Sequence, residues 1–220
     1  MIRFENLSMV YRRGGTRKLV AHQINATFPS GRAVALLGRN GAGKSTLLKI
    51  IAGTLKPTGG RVSSTGSISW PVGFAGSFHP HLTGIQNTRF VARIYGADSR
   101  ELVDFVEGFA ALGGHFRLPV QTYSAGMRSR LAFGVSMGLP FDTYLVDEVT
   151  SVGDAAFRAK SAEVFRARME RAGAVVVSHS MIQVRELCDM GAVLENGELT
   201  LYDDLEEAIA HHQHVMAGAA

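Results

Sequence analysis

The stretch Gly38-Arg39-Asn40-Gly41-Ala42-Gly43-Lys44-Ser45-Thr46 carries the clearest chemistry in this sequence. It fits the phosphate-cradle pattern G-x-x-x-x-G-K-[ST]. A triphosphate needs several N–H donors close together, with no Cβ in the way. Gly38, Gly41 and Gly43 permit such a backbone path, and Asn40 lies between them. A helix starting at Lys44 would add unpaired N–H groups and the positive end of its dipole. The Lys44 ammonium would reach the β- and γ-phosphates. The Ser45 hydroxyl, followed by Thr46, would face Mg²⁺.

Two further sites suit the same chemistry. Tyr144-Leu145-Val146 is an apolar run that ends in Asp147-Glu148. Paired carboxylates at the end of a buried strand must be solvated or matched to a cation. Beside a phosphate cradle that cation is Mg²⁺, held by Asp147, and Glu148 would orient or polarise a water. His179 follows the apolar run Val175-Val176-Val177. At the carboxyl end of a parallel strand it would face the ligand crevice and touch the γ-phosphate. The other reading of His179 is a capping or surface histidine.

Certain elements must hold these groups in place. Ile2 to Met9, Leu19 to Phe28 and Arg32 to Leu37 have strand character, with Arg12 to Lys18 as a basic hairpin loop. A helix is expected from Lys44 to about Ala52, stopped by Gly53. Thr83–Tyr95, Ser99–Leu112 and Ala125–Leu139 show helical spacing of apolar residues. They read as a helical subdomain, about 83–139, placed within a single α/β domain over 1–220. Tyr144–Val146 and Ala174–Ser178 read as strands buried on both faces, with a helix from Asp154 to Arg171 between them. Asn196-Gly197 marks a hairpin, and a last helix from about Asp204 is expected to fray in a His-rich tail, His211, His212 and His214.

Composition narrows the class. The chain has 220 residues, 46% hydrophobic and 19% charged, which suits one globular domain and excludes a disordered chain. No apolar run reaches the length of a membrane span, and the start Met-Ile-Arg-Phe-Glu-Asn has no leader character. With the single Cys188 this leads to an expectation of a cytoplasmic location. The net charge of +4 is dispersed; so mild a basic excess is weak evidence for nucleic acid or a membrane surface, and a solvated surface is the plainer reading.

Together these residues resemble the nucleotide-binding subunit of ATP-binding-cassette (ABC) transporters. The resemblance spans nearly the whole chain. It implies a P-loop NTPase core with an antiparallel β subdomain and an inserted helical subdomain. It identifies Tyr123-Ser124-Ala125-Gly126-Met127 with the LSGGQ signature, matched at Ser124 and Gly126 and departing at Tyr123, Ala125 and Met127. Ser151-Val152-Gly153-Asp154 resembles the D-loop, which makes Asp154 an expected nucleotide-side residue. His179 resembles the switch histidine, and Tyr11 the aromatic residue that stacks on adenine. By the same resemblance the cofactors are ATP and Mg²⁺. The working unit would be a head-to-tail homodimer with two ATP molecules at its interface.

A finer resemblance is to the polysaccharide-exporting branch, through Tyr123–Phe133 and Asp147–Lys160. Ser69-Trp70-Pro71-Val72-Gly73 and Ala92-Arg93-Ile94-Tyr95-Gly96 resemble the capsular polysaccharide exporters of Gram-negative bacteria more specifically. This implies a motor subunit on the cytoplasmic face of the inner membrane, bound to a separate permease in two copies. The permease would hold the polymer, so this chain would not bind it directly. The chain stops soon after the core, which on this reading favours capsule over those O-antigen exporters that append a carbohydrate-binding domain. Most relatives carry Gln at the start of the loop into the helical subdomain. Here Phe74 or a near neighbour stands there, and no Gln lies between Gln23 and Gln86. Ser77 or His79 are the candidates to replace it, and Phe74–His79 would contact the permease.

Overall fold

The structure is a computed structural model that describes residues 1–74, 76, 78–147 and 155–217. Its contacts divide into two units. One unit holds all the strands among the described residues. Strands β1 (Ile2–Arg13), β2 (Thr16–Phe28) and β4 (Gly59–Ser64) form an antiparallel sheet in the order β2-β1-β4. A six-stranded sheet runs β5-β6-β7-β3-β8-β9, built from β3 (Ala33–Leu37), β5 (Ile68–Pro71), β6 (Thr143–Asp147), β7 (Gly173–Val177), β8 (Met190–Glu195) and β9 (Glu198–Tyr202). Its members pair in parallel except for the β8–β9 hairpin.

The central strands are apolar on both sides, and β7 is buried along its whole length. This is the pattern expected of parallel strands covered on both faces. Helix α1 (Lys44–Ile51) packs Leu47, Leu48, Ile50 and Ile51 into a core shared with Leu7, Val20, Leu36 and Val175. Gly53, just past its end, has φ 71°, the left-handed conformation that closes a helix. Helix α6 (Met181–Leu187) and helix α7 (Leu205–Ala217) complete this unit, linked by Arg185, which donates from Nε and Nη2 to the Glu206 carboxylate at 2.7 and 2.9 Å.

The other unit is helical. It contains α2 (Gly84–Ile94), α3 (Ser99–Ala110), α4 (Ala125–Gly138) and α5 (Ala155–Met169). Thr83 and Gln86 form a reciprocal capping box at the start of α2, and Asp98 caps α3. Phe109 is the hub of its core, with ring centroids 5.8 Å from Phe105, 5.6 Å from Phe133 and 5.2 Å from Phe157. Lys160 of α5 donates to the carbonyl of Gly108 at 2.7 Å, where a cation offsets the negative end of α3.

Two details differ from the sequence expectations. The hairpin between β1 and β2 is tighter than a loop over Arg12 to Lys18. It turns on Gly14 and Gly15, at φ 55° and 81°, so Arg17 and Lys18 belong to β2. The His-rich stretch lies within a helix that is docked on β9 rather than in a loose tail. Helix α7 continues to Ala217, and His211 Nδ1 lies 2.9 Å from the Tyr202 hydroxyl.

Candidate phosphate-binding site

Three neighbouring strands end side by side. β3 leads into Gly38, β7 into Ser178 and His179, and β6 ends in Asp147. The register aligns Ala35 with Val176, and Asp147 with Val177. β6 is two strand spacings from β3, roughly 10 Å. Carboxyl ends of parallel strands are where open α/β sheets bind ligands.

Packing shapes the loop after β3. A Cβ on Gly38 would come 2.4 Å from the carbonyl oxygen of Leu194, and one on Gly43 would come 2.2 Å from Cγ1 of Val20. Both residues also have positive φ, 150° and 113°. Any side chain at either place would push the loop off its supports. Helix α1 begins at Lys44 with no side-chain cap, because Gly43 has no side chain to offer. Its first N–H groups therefore stay available to an anion. Lys44 Nζ donates to the carbonyls of Gly38 and Arg39 at 2.6 and 3.1 Å.

These residues line a cleft of about 450 Å³. Asn40, Gly41, Gly43, Lys44, Ser45, Thr46 and His179 lie along it, and so does Tyr11 of β1. The Tyr11 hydroxyl is 3.4 Å from Thr46 Oγ1, and the residue as a whole is 42% exposed. Gly38 lines an adjoining cavity instead. Ser180, not His179, caps α6, because its Oγ accepts from Gln183 N. The cap reading of His179 is thereby removed.

Three residues of the cleft, Lys18, Val20 and Val177, were not legible as site residues. Lys18 stands directly across from Tyr11 in the β1–β2 register. Its Nζ would be 3.5 Å from a Cβ on Gly41, which places a second cation over the cradle. Val20 is the wall behind Gly43, and Val177 ends β7 at the floor of the same cleft. The available signal was the two-residue turn at Gly14-Gly15, which pairs Lys18 with Tyr11.

Ser45 and Asp147 supply a hydroxyl and a carboxylate, oxygen donors suited to Mg²⁺. Among the described residues no three His, Cys, Asp or Glu gather into a metal cluster. A cation here would draw its remaining oxygens from phosphate and water. Glu148 and Asp154 lie outside the described residues, as does Ser77.

Ser124 and Gly126 belong to the helical unit. Ser124 is the N-cap of α4 and accepts from Met127 N at 3.2 Å, which leaves its hydroxyl hydrogen to donate elsewhere. A Cβ on Gly126 would meet nothing closer than Ser124 Oγ at 3.9 Å, so protein packing does not require glycine there. Tyr123, one of the departures from the signature, is buried. Its hydroxyl donates to the His115 carbonyl at 2.7 Å, and burial pushes that phenol above its ordinary value. Phe74 is 55% exposed.

The ABC transporter family profile matches residues 21–151, which include the cradle and Ser124 to Asp147. The chain belongs to the ABC transporter family. Among its relatives in that family is the polysialic acid transport ATP-binding protein KpsT of Escherichia coli, 46% identical over 97% of this chain and 96% of the relative. The capsule polysaccharide export ATP-binding protein CtrD of Neisseria meningitidis is 41% identical over 96% of this chain and 98% of its own. The O-antigen export system ATP-binding protein RfbB of Klebsiella pneumoniae is 37% identical over 92% and 84%. The ABC fold is borne out by a solved structure, a dimeric post-hydrolysis state of the ATP-binding cassette MJ0796 with ADP and phosphate. It superposes with a TM-score of 0.76 at 23% identity, over 90% of this chain and 96% of that one. No helix among the described residues of this ABC chain is long and apolar enough to cross a membrane.

Proposed function

We propose that this chain is the ATP-hydrolysing motor subunit of an ABC transporter that exports capsular polysaccharide across the inner membrane. The observation that carries the ATPase reading is the cleft in which an uncapped helix start, Lys44, Ser45 and His179 converge. The substrate class is supported by KpsT and CtrD, which are more similar to this chain than RfbB and are matched along nearly their whole length.

In this reading the α1 N–H groups and Lys44 hold the phosphates, while Tyr11 stacks on adenine. Ser45 and Asp147 would hold Mg²⁺, which supplies neutralisation of charge on the β- and γ-phosphate oxygens. Glu148 orients the attacking water, and His179 donates to the γ-phosphate. Water attack on a phosphoryl group needs positioning more than covalent chemistry. Ser124 and Gly126 of a second copy, with Asp154 at the same interface, close over that phosphate. ATP therefore favours the closed homodimer, because only there do both half-sites engage it. Hydrolysis reopens the pair. The segment Phe74–His79 passes the motion to a separate permease, two copies of which hold the polymer. The motor sits peripherally on the cytoplasmic face of the membrane, and nucleic acid plays no part.

Phosphate release from the purified chain, alone and in vesicles with its permease, tests this. Magnesium-dependent hydrolysis is expected in at least the second setting. Its absence in both would leave a nucleotide-binding regulatory module instead. Cells lacking the chain should accumulate capsular polymer internally; an unchanged surface capsule would sink the substrate assignment.

A further inference from the structure

The cleft at the cradle adjoins a second cavity of about 570 Å³, and Lys44 and His179 line both. Gly38 lies on the β3 side of this second cavity, and α7 closes it through His212 and Met216. The phosphate end of the site thus faces the helix that the sequence suggested would fray.

His212 is the unusual member. Its Nδ1 is shut off from solvent and has no hydrogen-bond partner among the described residues. A buried polar atom without a partner is unfavourable, and native structures contain few of them. Burial first, then the Lys44 cation, then His211 push the ring below its ordinary value. The neutral ring carries one N–H donor and one acceptor nitrogen. The titratable groups around it are Lys44 from α1, His179 from the loop after β7, and His211 on its own helix. His211 is turned elsewhere, to Tyr202 on β9. A phosphate placed at Lys44 would bring negative charge toward the ring, against the Lys44 cation that now acts on it. That charge favours an imidazole N–H donor, and protonation as well.

We propose that His212 is a further phosphate-side binding residue, whose imidazole donates to the terminal phosphate of a bound nucleoside triphosphate, making α7 a wall of the site. This rests on the nucleotide reading above. A diphosphate lacks the group that His212 contacts, so the residue sharpens discrimination of ATP from ADP.

The test is equilibrium binding of a non-hydrolysable ATP analogue with an imido β–γ bridge, and of ADP, to the purified full chain. His212→Ala should weaken the triphosphate analogue about tenfold, the scale of one hydrogen bond to a charged group, and leave ADP within about twofold. Unchanged ADP binding also reports that the variant is folded. His212→Gln keeps an N–H donor and should recover much of the loss. His211→Gln should alter neither affinity. Equal weakening of both nucleotides by His212→Ala, or no change in either, overturns the proposal. Should the unaltered chain bind neither nucleotide, the nucleotide reading falls and this one falls with it.

Discussion

Lys44 Nζ donates to the carbonyl oxygen of Gly38 at 2.6 Å, which ties the cation of the cradle to the first residue of its own loop. A second bond runs 3.1 Å to the Arg39 carbonyl. Both acceptors are neutral, and an ionised phosphate is the stronger partner for an ammonium. Lys44 is therefore held close to where it is needed and can be transferred to a phosphate. Lys44→Ala should lower ATP hydrolysis by about a hundredfold or more, the scale of losing one charge-stabilising donor. Phosphate release at saturating ATP measures it, and a loss below tenfold would remove Lys44 from its assigned role.

Gly43 and Gly53 separate packing from backbone strain. Both have positive φ, but a Cβ at Gly43 would strike Val20 whereas one at Gly53 meets nothing within 4 Å. Gly53→Ala should cost about 1 kcal/mol of stability through the backbone alone and leave nucleotide binding intact. Gly43→Ala should distort the cradle and weaken nucleotide binding severely. Thermal melts together with nucleotide titrations distinguish the two. Equal binding losses in both variants would contradict the packing argument.

Tyr11 is partly exposed at the cleft, and among the described residues its hydroxyl makes one long contact, 3.4 Å to Thr46 Oγ1. Stacking rather than hydrogen bonding should then be its contribution. Tyr11→Phe is expected to bind ATP nearly as well as the unaltered chain, and Tyr11→Ala about tenfold more weakly, as for loss of one base–aromatic stack. Fluorescent-nucleotide titration reads both, and a large defect in Tyr11→Phe would reassign the role to the hydroxyl.

Asp142 sets an acid-dependent part of stability. Its carboxylate accepts from Ser67 N and Ser67 Oγ, both at 2.7 Å, and those bonds hold it below its ordinary value. A carboxyl depressed in the folded state contributes stability above its unfolded value, about 3.9, and loses it as pH falls through the folded value. Asp142→Asn should therefore melt lower than the unaltered chain at pH 7, with the gap closing below about pH 4. Melting curves across pH 3–7 check the sign. A gap that widened in acid would be the wrong one.

The contiguous parts of the site could be read from the chain because local sequence encodes them. The cradle is a single loop, and the runs ending in Asp147 and before His179 are apolar enough to be buried strands. What was missed depends on partners distant in sequence. Lys18 joins the cleft only through its register with Tyr11, and His212 only because α7 packs beside β8 and β3. Strand β4, with Gly59, Gly60, Ser63 and Ser64, has little apolar alternation and is recruited by pairing with β1. Helix α6 is too short for its periodicity to stand out. Ser124 and Gly126 came from family resemblance, since a serine N-cap followed by glycine is common at helix starts.

Light scattering on size-exclusion fractions of Glu148→Gln, with and without ATP and Mg²⁺, tests most directly whether two copies close over ATP. A monomer without nucleotide and a stable dimer with it are expected, because binding is kept and the step that reopens the pair is blocked. A variant that stays monomeric with ATP while hydrolysing it at the unaltered rate would contradict the account.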